Sequence, residues 1–148
     1  MQEDNLILSQ SLSLESSDNN ILKLMNKKIN LNEFTKSCKK IEENGLNTNV
    51  FVIVGYPGEN KQTHKRTYDY LKKLKEKKYI TKISPCHFQP YPNLLATKQL
   101  LERNGKIIPK ENEFSKWIMR KKPLVEYPHL KEKELEEMLN VFIKLDEK

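Results

Sequence analysis

The sequence predicts an α/β domain in which parallel strands alternate with helices. Three observations carry this: the unbroken apolar run Val50-Phe51-Val52-Ile53-Val54, amphipathic helical stripes before and after it, and turn residues between them. The run is β-branched and bounded by Asn49 and Gly55. Because it is apolar on both faces, it is expected to be buried on both faces, the habit of a parallel strand covered by helices.

The remaining elements follow in order. Leu6-Ile7-Leu8 and Leu12-Ser13-Leu14 have the alternation of one strand frayed by polar residues. Ser16, Ser17 and Asp18 are suited to cap a helix carrying Ile21, Leu22 and Met25. Phe34, Cys38 and Ile41 share one face of a helix over Asn32–Asn44, with Gly45 as its left-handed stop. After Gly55-Tyr56-Pro57-Gly58, a polar helix shows Tyr68, Leu71 and Leu74 on its inner side. A strand over Tyr79–Phe88 is interrupted by Pro85, which places it at an edge or makes it irregular. The turn Pro90-Tyr91-Pro92-Asn93 leads into a helix over Leu94–Asn104, ended by Gly105. Phe114, Trp117 and Ile118 suggest a short helix or packing arm, and Leu135, Met138, Leu139, Phe142 and Leu145 form a last helical stripe after Pro128.

The 148 residues suffice for one ordinary domain, which excludes an intact multidomain enzyme. With 36% hydrophobic and 32% charged residues the chain has enough apolar material for a core and a strongly wetted surface. No apolar run reaches membrane-helix length, and the polar start Met1-Gln2-Glu3-Asp4-Asn5 lacks the pattern of a signal peptide, so a cytoplasmic location is expected. The net charge of +7 comes from 27 basic residues, of which only Arg66, Arg103 and Arg120 are arginines. Lysines spread along the chain read as solvated surface charge rather than as a nucleic-acid patch. Cys38 and Cys86 form neither a CxxC pair nor a disulfide framework and read as small buried thiols. His64, His87 and His129 read as packing or surface groups, although His87 beside Phe88 could face a ligand.

In parallel α/β folds ligands gather at the carboxyl ends of the strands. Three loops take that place: Glu15-Ser16-Ser17, Gly55-Tyr56-Pro57-Gly58-Glu59, and Phe88 to Asn93. The first offers a carboxylate for two sugar hydroxyls, the second a backbone free of side chains, the third flat groups for a ring the size of adenine. Each also has a structural explanation, as a helix cap, a tight turn or a helix lead-in. Gly55 to Gln62 is not a Walker loop: Asn60 and Gln62 replace its glycine and hydroxyl residue, and Glu59 would repel phosphate.

Taken together, the loops resemble radical S-adenosylmethionine (SAM) enzymes. The run Leu14-Glu15-Ser16-Ser17 through Leu24-Met25-Asn26-Lys27 is similar to that family's G-x-E-S-G-s-x-x-x-L-x-x-M-x-K segment. Gly45-Leu46 with Phe51 to Glu59 resembles its G…F-I-x-G-x-P-G-E strand, and Phe88-Gln89-Pro90-Tyr91-Pro92-Asn93 with Glu102-Arg103-Asn104-Gly105 its F-x-P-Y-P-G-T…E-x-G segment. The E-S form points to the branch with a cobalamin-binding domain, of the anaerobic magnesium-protoporphyrin monomethyl ester cyclase type; a Q-S form marks the methylthiotransferases. Ser13 and Ser17 stand where the family has glycines, and Asn93 stands in a glycine position that Asn can fill in a left-handed turn.

The resemblance implies the second half of a partial (β/α)6 barrel over residues 1–108, with a C-terminal helical extension over 109–148. It places Glu15 and Ser16 at the SAM ribose, Ile53 and Gly55 at the adenine, and Phe88 near the contact from the last strand. The complete enzyme would use SAM and a [4Fe-4S] cluster to generate a 5′-deoxyadenosyl radical, with cobalamin on a further domain. The CxxxCxxC motif that would hold the cluster is absent, so no metal-binding or catalytic residue is assigned in this chain. The implied partners are an N-terminal half barrel from another chain or a second copy, together with a small-molecule substrate; neither a membrane nor a nucleic acid is expected. Two alternatives stay open: a noncatalytic remnant or partner-binding module, and an RNA-binding protein.

Overall fold

A computed structural model describes residues 8–110, 112–118 and 122–148. Three parallel strands, β1 (Ser9–Glu15), β2 (Asn47–Val54) and β3 (Lys82–His87), lie in the order β1-β2-β3. Helices α1 (Asn19–Leu24) and α2 (Leu31–Glu43) connect the first pair, and α3 (Lys61–Glu76) the second. This is the expected alternation of parallel strands and helices. Leu6 and Ile7 of the expected first strand lie outside the described residues.

After β3 come α4 (Leu95–Glu102), β4 (Lys106–Ile107), α5 (Phe114–Ile118), β5 (Val125–Glu126) and α6 (Glu132–Asp146). β4 and β5 pair antiparallel apart from the main sheet. α6 returns to lie against β3 and β2 and beside α3. Its stripe of Leu135, Met138, Leu139, Phe142 and Leu145 is buried, as the spacing predicts. Its end is tied down by Asp146, whose Oδ1 accepts the Ile83 N–H at 2.6 Å while its backbone carbonyl accepts from Lys75 Nζ at 3.0 Å.

Local signals shape the helix ends, at Asp18 as expected and at Asn60 without having been singled out. Asp18 caps α1 by accepting the N–H groups of Asn20 and Ile21, and Asn60 and Thr63 form a reciprocal capping box on α3. Gly45 has φ +70° after α2. At the end of α4 the left-handed residue is Asn104 (φ 56°), so Gly105 follows the reversal instead of making it. Asn93 adopts φ 66°, the left-handed turn expected of it. Pro85 sits on β3, an edge strand of the sheet among the described residues, where a missing N–H is tolerated.

The expectation for β2 needs correction. Val50, Val52 and Val54 are completely buried under the helices, but Phe51 is 36% exposed and Ile53 is only partly covered. Successive side chains point to opposite faces, and among the described residues helices cover one face of the sheet only. Cys86 projects from β3 on the open side and is half-buried, whereas Cys38 is fully buried beneath α2. Among the described residues no helix is long and apolar enough to cross a membrane.

Candidate functional site

The open face and the carboxyl ends of the three strands form one groove of about 580 Å³. β1 contributes Ser13 and Glu15, β2 contributes Phe51 and Ile53, and the segment leaving β3 contributes Phe88 and Tyr91. Three of the residues singled out from the sequence, Glu15, Ile53 and Phe88, therefore meet there. Parallel strands in register bring their last residues to one rim, which is why separate loops converge.

Glu15 reaches the groove through unusual backbone. A register shift between Ser13 and Glu15 marks a β-bulge, Glu15 has φ 67°, and the Ser16 N–H donates back to the Leu14 carbonyl at 2.9 Å. A hydrogen bond spanning two residues around a positive φ is a γ-turn of the strained kind, costing about 1–3 kcal/mol. The turn re-aims the carboxylate, and Lys27 Nζ donates to Oε1 at 2.9 Å.

Ser16 and Gly55 face elsewhere. Ser16 is 1% exposed; its Oγ lies 3.3 Å from Thr67 Oγ1 and accepts the Asp18 N–H at 3.1 Å. It shapes the turn into α1, the capping role its residue type also allows. Gly55 donates its N–H to Glu59 Oε2 at 2.5 Å, and its carbonyl accepts from Tyr127 Oη at 2.8 Å. A Cβ on Gly55 would come within 3.2 Å of Leu135, and one on Gly58 within 2.6 Å of Leu24. The space that the sequence reading reserved for a ligand beside these glycines is filled by the protein's own side chains.

Sequence reasoning missed the groups that hold these loops. Thr67, buried in α3, accepts the Ser17 N–H at 3.0 Å and fixes the first loop. The Glu59 carboxyl lies inside the second loop at 3% exposure instead of standing at the helix start. Burial pushes its pKa up to about 8; the Gly55 N–H acts in the opposite direction and the nearby Asp18 adds to the rise. His129 donates Nε2–H to the Glu59 carbonyl at 2.9 Å. Tyr127 and His129 thus fasten the loop from more than 65 residues away in sequence. No local pattern in the sequence marks this stretch as turning inward. Tyr56 and Phe88 pack edge to face, 5.3 Å between centroids, and close the third side.

The groove chemistry fits a nucleoside: a carboxylate accepts hydroxyl protons, and Ile53 with Phe88 offers apolar contact to a flat base. An iron–sulfur cluster does not fit. Among the described residues no three His, Cys, Asp or Glu side chains converge, and Cys38 and Cys86 lie on opposite faces of the sheet.

Part of the chain is similar to known proteins. Residues 9–71 match the Radical SAM superfamily. An uncharacterized protein of Methanocaldococcus jannaschii is 35% identical over 81 residues, covering 55% of this chain and 16% of that protein. A probable threonylcarbamoyladenosine tRNA methylthiotransferase of Pyrococcus abyssi is 25% identical over 99 residues, covering 66% of this chain and 22% of that protein. Its counterpart in Pyrococcus horikoshii is 28% identical over 89 residues, 59% of this chain and 20% of that protein. The chain thus matches about a fifth of the length of these relatives. The matches support a likeness to radical SAM proteins.

Proposed function

We propose that the chain is a piece of a radical SAM enzyme that forms the ribose and adenine side of the SAM site, residues elsewhere supplying the cluster. The observation that carries this is the meeting of Glu15, Ile53 and Phe88 in one groove at the ends of three parallel strands. Glu15 accepts the ribose hydroxyls, Ile53 and Phe88 pack on the base, and Tyr56 backs Phe88. Ser16 and Gly55 act from behind, by fixing the backbone that carries these groups. SAM supplies radical chemistry when a reduced cluster is bound beside it. Residues 1–108 act as the second half of the barrel, with 109–148 as the extension that braces it.

Two features bear on the branch. Glu15-Ser16 is the E-S form that favours a cobalamin-binding architecture, whereas the relatives named for an activity are methylthiotransferases.

The chain supplied with SAM, iron, sulfide and dithionite is expected to yield no 5′-deoxyadenosine. A longer protein carrying both this segment and a CxxxCxxC motif is expected to yield it. Production by the chain alone would overturn the assignment of the cluster to residues outside it.

A further inference from the structure

We infer that Lys27 is a positioning residue that sets the groove's selectivity for a ribose diol by holding the Glu15 carboxylate; this rests on the reading of Glu15 as the ribose contact. The argument begins with backbone. α1 ends in a Schellman motif: Asn26 has φ 55°, its N–H bonds the Lys23 carbonyl at 3.0 Å, and the Lys27 N–H bonds the Leu22 carbonyl at 2.9 Å. That closure fixes where Lys27 leaves the helix. At the other end, the bulge and γ-turn fix where Glu15 leaves β1. Two rigid backbone anchors therefore face each other, and their side chains meet at 2.9 Å.

The pair is partly shielded, with Glu15 at 15% and Lys27 at 33% side-chain exposure. Glu15 is the one carboxylate among the described residues lining the groove. A free glutamate samples many rotamers, and a carboxylate that binds two vicinal hydroxyls must keep both oxygens directed at them. The ammonium on Oε1 restricts that rotation, while Oε2 and the second lone pair of Oε1 remain to accept the two hydroxyls. Lys27 itself stands behind the groove wall and touches it through the carboxylate. Its role is exerted through Glu15, and its loss would leave apolar contact with the base intact.

The test measures binding of adenosine and of 2′,3′-dideoxyadenosine to the chain by calorimetry or ligand-observed NMR. Wild type is expected to prefer adenosine, and Glu15→Gln to lose that preference. Lys27→Met and Lys27→Gln are expected to reduce the ratio of the two affinities at least threefold, with the dideoxynucleoside's Kd within twofold of wild type. Lys27→Arg is expected to retain the preference. A purely structural Lys27 would weaken both ligands together. Wild-type selectivity retained in Lys27→Met and Lys27→Gln would overturn this inference while sparing the ribose reading. Absence of selectivity in wild type, or of adenosine binding, would overturn the ribose reading and this inference with it.

Discussion

The two faces of the sheet are built from the same strands and do different work. On one face Leu14, Val50, Val52, Val54 and Ile83 are sealed by helices and form the centre of the core. On the other, Ser13, Glu15, Phe51, Ile53 and Cys86 alternate with them and line a groove. The covered face is mostly apolar, with buried Thr48 the exception on β2, and intolerant of change; the open face mixes a carboxylate, hydroxyl, thiol and aromatic ring. The contrast separates residues that make the domain stable from residues available to a ligand, although they are sequence neighbours.

Mutations should reproduce that division. The largest effect is expected at Leu135, fully buried between α6 and the loop at Gly55. Leu135→Ala should lose about 3 kcal/mol of stability in urea titrations. The next effect is at Glu59, whose buried carboxyl is held neutral near pH 7. Because its folded pKa lies near 8, above the unfolded value, its contribution is full below about pH 4.5 and is lost as pH rises through 8. Glu59→Gln should therefore gain on wild type as pH rises from about 5 to about 8.5. Thermal melts at both pH values check this.

Tyr127→Phe removes the hydrogen bond to the Gly55 carbonyl and should cost about 1 kcal/mol. Faster amide exchange is expected at residues 55–59 without change in α2. The smallest effect belongs to the open face: Phe51→Ser should change stability by less than about 1 kcal/mol. A loss comparable to that of Leu135→Ala would remove the distinction between the faces.

Much of the covered half was legible in the sequence because it depends on local periodicity. The stripes of α2, α3 and α6, the cap at Asp18, and the apolar run of β2 all express short-range rules. The rim of the groove was legible at Glu15, Ile53 and Phe88, since parallel strands bring successive carboxyl ends together. The inward orientation of Ser16 and Gly55 was not, because it depends on Thr67, Glu59 and Tyr127, partners remote in sequence or hidden by burial. Nor does the pattern of β2 alone reveal that one side is open. An apolar run gives the same signal whether its second face meets helices or a ligand.

The most direct measurement is a titration of the isotopically labelled chain with S-adenosylhomocysteine, followed by backbone amide chemical shifts. The account predicts saturable changes concentrated at Ser13–Ser17, Ile53–Tyr56 and His87–Tyr91, reduced at least tenfold in affinity by Glu15→Ala. Shifts confined to the helix-covered side, or an unchanged spectrum at millimolar ligand, would contradict it.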